Sequence, residues 1–231
     1  MRLGAPLVAP GYGGYLFYAY WNGALYFYIH PAYIVPTVVA AVILVALAAV
    51  AGWRGASDAH RHGPGSPLAV SIVMLPLALG VLLPPQPLSS AVAGQRGVEL
   101  TSLGGIEAGP GFSLGGRPEA YTIKDWVKAF QVDPEPSRHA GKPVSVTGFV
   151  YRDERLPTGW FLVARFVVKC CAVDAQPVGL PVRADATAPE PGRWVTVEGA
   201  WEVAEVDGVR RAVIKPEAVT GTVRPDQPYL Y

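Results

Sequence analysis

"YIVPTVVAAVILVALAAVAGW", residues 33–53, runs for twenty-one residues without a charged side chain. A helix needs about twenty mostly apolar residues to cross the hydrocarbon of a bilayer. This almost wholly aliphatic stretch therefore reads as a membrane span. Working outward, no Asp, Glu, Lys or Arg occurs in the fifty-one residues between Arg2 and Arg54. That length has room for two spans and a tight turn. The earlier one, roughly 6–29, is rich in Tyr and Gly and carries Asn22. On the other side lies "PLAVSIVMLPLALGVLLPPQP", residues 67–87, again uncharged. Its internal Pro76 is tolerable in a membrane helix, where neighbours satisfy the freed carbonyl, and Pro84, Pro85 and Pro87 stop it. Residues 1–87 thus read as a helical region of about three transmembrane spans: 6–29, 33–53 and 67–87.

The charge distribution separates this region from the rest of the 231-residue chain. Only Arg2, Arg54, Asp58 and Arg61 are charged before residue 96, and thirty-three charged side chains follow. The front is composed for lipid and the back for water. The apolar start is too long and too aromatic for a cleaved signal peptide, so an uncleaved first helix is expected. Arginines in short loops mark the cytoplasmic side. Arg2 precedes the first span, and Arg54 and Arg61 lie between the second and third. With three spans these places share a side, so everything after residue 88 is expected outside the cytoplasm. With two spans it would face inward.

Residues 88–120, rich in Gly, Ser and Ala and including "GGIEAGPGFSLGG" (104–116), read as a flexible linker. The domain beyond, 121–231, opens with "YTIKDWVKAFQ" (121–131), which spaces Ile123, Trp126, Val127 and Phe130 along one helix face. Thr122 is placed to cap it and Pro134 to end it. The period then changes to two. "GKPVSVTGFVYR" (141–152) carries Val144, Val146 and Val150 on one face. "GWFLVARFVVK" (159–169) alternates Trp160, Leu162, Ala164, Phe166 and Val168 against a set holding Arg165 and Lys169. The charged set should be wet, which makes the first set core. "VGLPVRA" (178–184) is a short third strand. "RWVTVEGAWEVAEV" (193–206) is a fourth, with Val195, Val197, Trp201 and Val203 inward. Asp207-Gly208 is a strong hairpin signal into "VRRAVIKPEAV" (209–219). Five strands, two of them interrupted by Gly148 and Gly199 where a closing strand must coil, predict a five-stranded OB-like barrel. A small open sandwich is the alternative.

The two cysteines of the chain, Cys170 and Cys171, stand side by side in "RFVVKCCAVDA" (165–175). Neighbours are poorly placed to form a normal disulfide. Continuing the strand's alternation puts Cys170 inward and Cys171 outward. Three readings stay open: packed thiols, a Zn²⁺ or Cu⁺ site with Asp174 as third ligand, or a redox-active pair. Two cysteines fall short of a four-cysteine zinc pattern. Asp174 is equally suited to bonding the backbone of its own turn. His139 is the one histidine of the soluble part. His30, followed by Pro31 at the foot of the first span, fits an interfacial turn as well as an ion-handling role. His60 and His62 in "DAHRH" (58–62) read as a solvated loop. The Gly-rich run has neither the preceding strand nor the following helix start of a phosphate loop, and no Ser-His-Asp arrangement is credible. An OB-like barrel invites a nucleic-acid reading. Sixteen basic and seventeen acidic residues after position 95 argue against it.

Several stretches together resemble the DUF1980 family of membrane proteins. They are "YFYIHPAY" (26–33), "LLPPQPLSSAVAGQRG" (82–97), "GKPVSVTGFV" (141–150), "FLVARFVVKCCAVDAQPVGLPV" (161–182) and "PYLY" (228–231). The Cys-Cys-x-x-Asp-Ala run is the most specific of these. The resemblance implies a non-enzymatic accessory protein. Family members typically stand beside a multi-span permease of unknown substrate, and some are linked to zinc-responsive regulation. The expectation is a multi-pass cell-membrane protein whose partners are the bilayer and a permease subunit, with no nucleic acid. Its outer β domain would bind a partner or a metal ion, zinc foremost, near Cys170, Cys171 and Asp174. The alternative is a stand-alone thiol-dependent redox or metal-delivery module.

Overall fold

The computed structural model describes residues 5–54, 67–98, 117–184, 188–206 and 208–231. Arg2, Asp58, His60, Arg61, His62 and the Gly-rich run 104–116 lie outside them. The chain divides into two compact units, residues 1–87 with Cys170–Ala172, and residues 88–169 with 173–231.

In the first unit, helix α1 (Ala5–Trp21) ends at Asn22-Gly23 because Gly23 takes a left-handed conformation, φ 70°. Two single 3₁₀ turns, Ala24–Phe27 and Pro31–Tyr33, lead into α2 (Ile34–Arg54), and α3 (Pro67–Leu82) follows. The hydroxyls of Tyr12 and Tyr15 on α1 donate to the carbonyls of Val73 and Gly80 on α3. Ala19, Ala24, Leu25 and Ile34 form a small buried cluster. Much of the rest is apolar and uncovered, with Val35 at 70% and Leu47 at 61% exposure. Among the described residues one helix, over Pro31–Val50, is long and apolar enough to cross a membrane, and Leu68–Leu82 is a shorter apolar helix. The three expected spans are thus met in part. The helix within 6–29 stops at Trp21, where asparagine and a left-handed glycine break it. That within 67–87 stops at Leu82, before the prolines.

The second unit is a five-stranded closed barrel. Its strands are β1 (Pro143–Tyr151), β2 (Phe161–Val167), β3 (Gln176–Val182), β4 (Trp194–Val206) and β5 (Val209–Gly221). They pair in the order β1-β4-β5-β3-β2, and β1 pairs with β2 to close the ring. Every pairing is antiparallel except that of β3 with β5, which is the connectivity of an OB-type barrel. Both predicted glycines sit where strands approach too closely for a side chain. A methyl at Gly148 would lie 2.5 Å from the Ala164 carbonyl oxygen, and one at Gly199 2.2 Å from that of Lys215. The Gly199 position coincides with a break in the β4–β5 register. The β4–β5 hairpin closes through Val206↔Val209 with Gly208 at φ 71°; Asp207 lies outside the described residues. Helix α5 (Ile123–Val132) is capped by Thr122 in a reciprocal capping box with Asp125. It buries Ile123, Trp126 and Val127 against residues of all five barrel strands.

The face of β2 expected to fill the barrel is reversed. Phe161, Val163 and Val167 belong to the interior cluster, whereas Leu162, Ala164, Phe166 and Val168 face outward. The outer set is also buried: α4 (Ser90–Arg96) brings Ala93 to its cluster, and Tyr229 of the two-residue strand β6 (Tyr229–Leu230), which pairs in parallel beside the end of β2, packs on Phe166. Arg165 therefore escapes the core through its head group: its guanidinium donates to the carbonyls of Gln227 and Pro228 at 2.6 and 3.1 Å. Val203, expected inward, is half-buried.

Candidate metal and thiol site

Strand β2 gives out at Val167, two residues before the cysteines' own turn begins. Val168 still pairs with the tail, its N–H on the Leu230 carbonyl at 2.9 Å. The chain then bends at Lys169 and Cys170. The next three residues follow a different partner. Cys171 forms an antiparallel bridge with Ile29, the His30 N–H donates to the Cys170 carbonyl at 2.9 Å, and the Ala172 N–H donates to the Tyr28 carbonyl at 2.8 Å. The alternation of β2 cannot continue through that bend. The expected orientation is accordingly corrected: Cys170 is exposed and Cys171 half-buried, and neither is in a disulfide.

Asp174 closes the loop by accepting the Lys169 N–H at 2.9 Å. The bond reaches back five residues within the same turn. Within this one continuous loop the thiols of Cys170 and Cys171 and the Asp174 carboxylate bring ligand atoms within 4.8 Å of one another. A cavity of about 530 Å³ adjoins the loop, lined by Arg96, Lys169, Asp174 and Gln176 among others. Arg96, at the end of α4, anchors the far side of the turn by donating to the carbonyls of Ala175 and Val173. It lies in the stretch read as linker. The signal that could have found it is the "AGQRG" run itself, a lone cation set before a helix-stopping glycine.

The other candidates have settled geometries. His30 caps the 3₁₀ turn Pro31–Tyr33, its Nδ1 accepting the Ala32 N–H at 3.1 Å. Among the described residues His139 is the buried polar side chain of the barrel unit, 1% exposed. Its Nε2 faces the Asp133 carbonyl at 2.9 Å and its ring meets Phe130 edge-on at 4.8 Å. That places it in the core as a packing group and not beside the thiols as a fourth ligand.

Comparison with known proteins follows the same division of the chain. The DUF1980 N-terminal domain matches residues 6–99 and the DUF1980 C-terminal domain residues 122–231. A Streptococcus mutans protein, provisionally named a two-component membrane permease complex subunit, is 24% identical over 268 aligned residues, covering 97% of each chain. No solved structure matches the chain significantly.

Proposed function

Because this chain belongs to the DUF1980 family, we propose that it is a non-enzymatic accessory subunit of a multi-span membrane permease. In this reading the N-terminal region is the multi-pass anchor, the barrel stands outside the cytoplasm, and the 170–174 loop is its contact or ligand point. The observation that carries the reading is the end-to-end relation to a protein named as a permease complex subunit. Physical chemistry supports the anchor. Helix α2 leaves Val35, Val39, Val42, Ile43 and Leu47 uncovered. Each such side chain gains about 1.5–3 kcal/mol on leaving water. Lipid, or another membrane helix, is the solvent that these side chains fit. The anchor is also too small to enclose a polar pathway by itself. Among the described residues, Tyr12 and Tyr15 spend their hydroxyls on backbone carbonyls of α3, and in this reading a further subunit carries the transport path.

Affinity purification of the tagged chain from its native membrane in mild detergent tests this. A stoichiometric multi-span protein in the eluate is the expected result, and a chain that elutes alone at every detergent strength overturns it. A second reading, a thiol-dependent redox or metal-delivery module acting alone, is favoured by the convergence of Cys170, Cys171 and Asp174. It predicts the lone eluate together with reactive thiols.

A further inference from the structure

We infer that Cys170, Cys171 and Asp174 form an exchangeable Zn²⁺ site. This deepens the reading of the loop as a ligand point and rests on it, but not on the identity of any permease partner. Three features of the loop carry the inference.

The first is the donor set. Two thiolates and one carboxylate suit zinc, which accepts sulfur and oxygen together; Cu⁺ prefers sulfur alone, and Mg²⁺ or Ca²⁺ oxygen alone. The second is reach. Two sulfurs on one tetrahedral zinc, with bonds of about 2.3 Å, stand roughly 3.8 Å apart. Ligand atoms already within 4.8 Å of one another close to that spacing by side-chain rotation, and Cys170 is exposed, so packing does not oppose it. The backbone beneath is held by the Ile29 bridge and by the Lys169–Asp174 bond. The third is incompleteness. Structural zinc sites close with four protein ligands, whereas three ligands and an open position allow exchange. The exposed Cys170 thiol leaves that position open to a donor or acceptor from solvent.

Binding is an acid–base step without redox change. Zn²⁺ bonds both sulfurs and a carboxylate oxygen, and two thiol protons leave to solvent. The complex then carries one net negative charge, which Lys169 and Arg96, lining the same cavity as Asp174, offset.

The test uses the full chain purified in detergent under reducing conditions, with ZnCl₂ as the added metal and a chromophoric chelator as competitor. One zinc per chain is expected, with an affinity that rises with pH as the thiols lose protons. Cys170→Ser and Cys171→Ser should each weaken it at least about tenfold, and Asp174→Asn by less. Cobalt substituted into the unaltered chain should give a thiolate-to-metal charge-transfer band in the near ultraviolet. No zinc held against the competitor, or zinc held equally by both serine variants, overturns the inference. So does absence of the cobalt band, which needs no variant to fold. Tight Cu⁺ binding that ignores Asp174→Asn, without zinc binding, overturns it as well, since a two-sulfur cuprous site dispenses with the carboxylate. A chain that co-purifies with a multi-span partner yet binds no zinc removes this inference alone. Zinc without a partner removes the subunit reading alone.

Discussion

His139 illustrates how a single side chain is decided by its surroundings. Its Nε2 lies 2.9 Å from the Asp133 carbonyl, so that nitrogen carries the hydrogen, and Nδ1 is left to accept from the Lys142 ammonium at 3.4 Å. Phe130 and Trp126 meet its ring edge-on at 4.8 and 6.4 Å, and the Trp126 and Trp201 rings stand 5.0 Å from each other. The two indole N–H groups find no oxygen or nitrogen partner among the described residues; the edge-to-face rings around them offer only the weak acceptor of a π face. Replacing His139 by Ala opens a cavity and orphans a carbonyl, and should cost about 2–4 kcal/mol. Denaturant unfolding followed by tryptophan fluorescence reads this directly. Nothing in the sequence marked the position, because a lone histidine carries no periodicity. Asp153 is a second such case. Hydrogen bonds from the Arg155 guanidinium, at 2.7 and 2.8 Å, hold its carboxyl below the usual carboxylate range. The folded value is therefore the lower one. The pair's contribution is complete above the unfolded value of about 4 and is lost as pH falls through the folded value. Asp153→Asn should lower stability by about 1 kcal/mol or less at pH 7. Its deficit against the unaltered chain should shrink as pH falls below about 4 in parallel acid titrations of the unfolding midpoint.

At the level of elements, the strands were legible because side-chain alternation and turn chemistry are local. β1, β4 and β5 fall where "GKPVSVTGFVYR", "RWVTVEGAWEVAEV" and "VRRAVIKPEAV" place them. The side of β2 that faces inward was not legible. Charge at Arg165 and Lys169 marked one face as wet, but the cover on the opposite face comes from α4 and β6, each remote in sequence. Once both faces are buried, period two no longer says which is inner, and a long cation can satisfy itself on tail carbonyls. The same remoteness hid the bend before Cys170, since the Tyr28–His30 backbone that pairs with 170–172 comes from the first unit. The barrel's closure, in contrast, was foretold by two glycines, and the geometry gives their replacement a sign. Gly148→Ala and Gly199→Ala each force a methyl to within 2.5 Å of a carbonyl oxygen. Overpacking of this kind costs about 1–3 kcal/mol. Gly221→Ala, whose methyl would meet nothing within 4 Å, should leave the barrel's melting temperature unchanged in the same thermal scan.

For the whole molecule, the decisive physical quantity is where charge is absent. Four charged residues before position 96 against thirty-three from there on divide the chain between two solvents. How often the front part crosses the bilayer sets the compartment of everything behind it. An odd number of crossings puts the barrel opposite Arg2, and an even number puts it on the same side, where cellular reductants keep thiols reduced and metal is buffered. Cys170, exposed on its loop, reports the difference without an introduced cysteine. A membrane-impermeant maleimide applied to intact cells should label the chain, and Cys170→Ser should remove most of that label. Labelling that appears only after the membrane is opened would place the barrel in the cytoplasm and require two crossings. The helix α1, ending at Trp21 on an asparagine and a left-handed glycine, would then be the element that fails to span. The zinc site would survive such an outcome, since its ligands all lie on one loop, but it would draw its metal from the buffered interior rather than from outside.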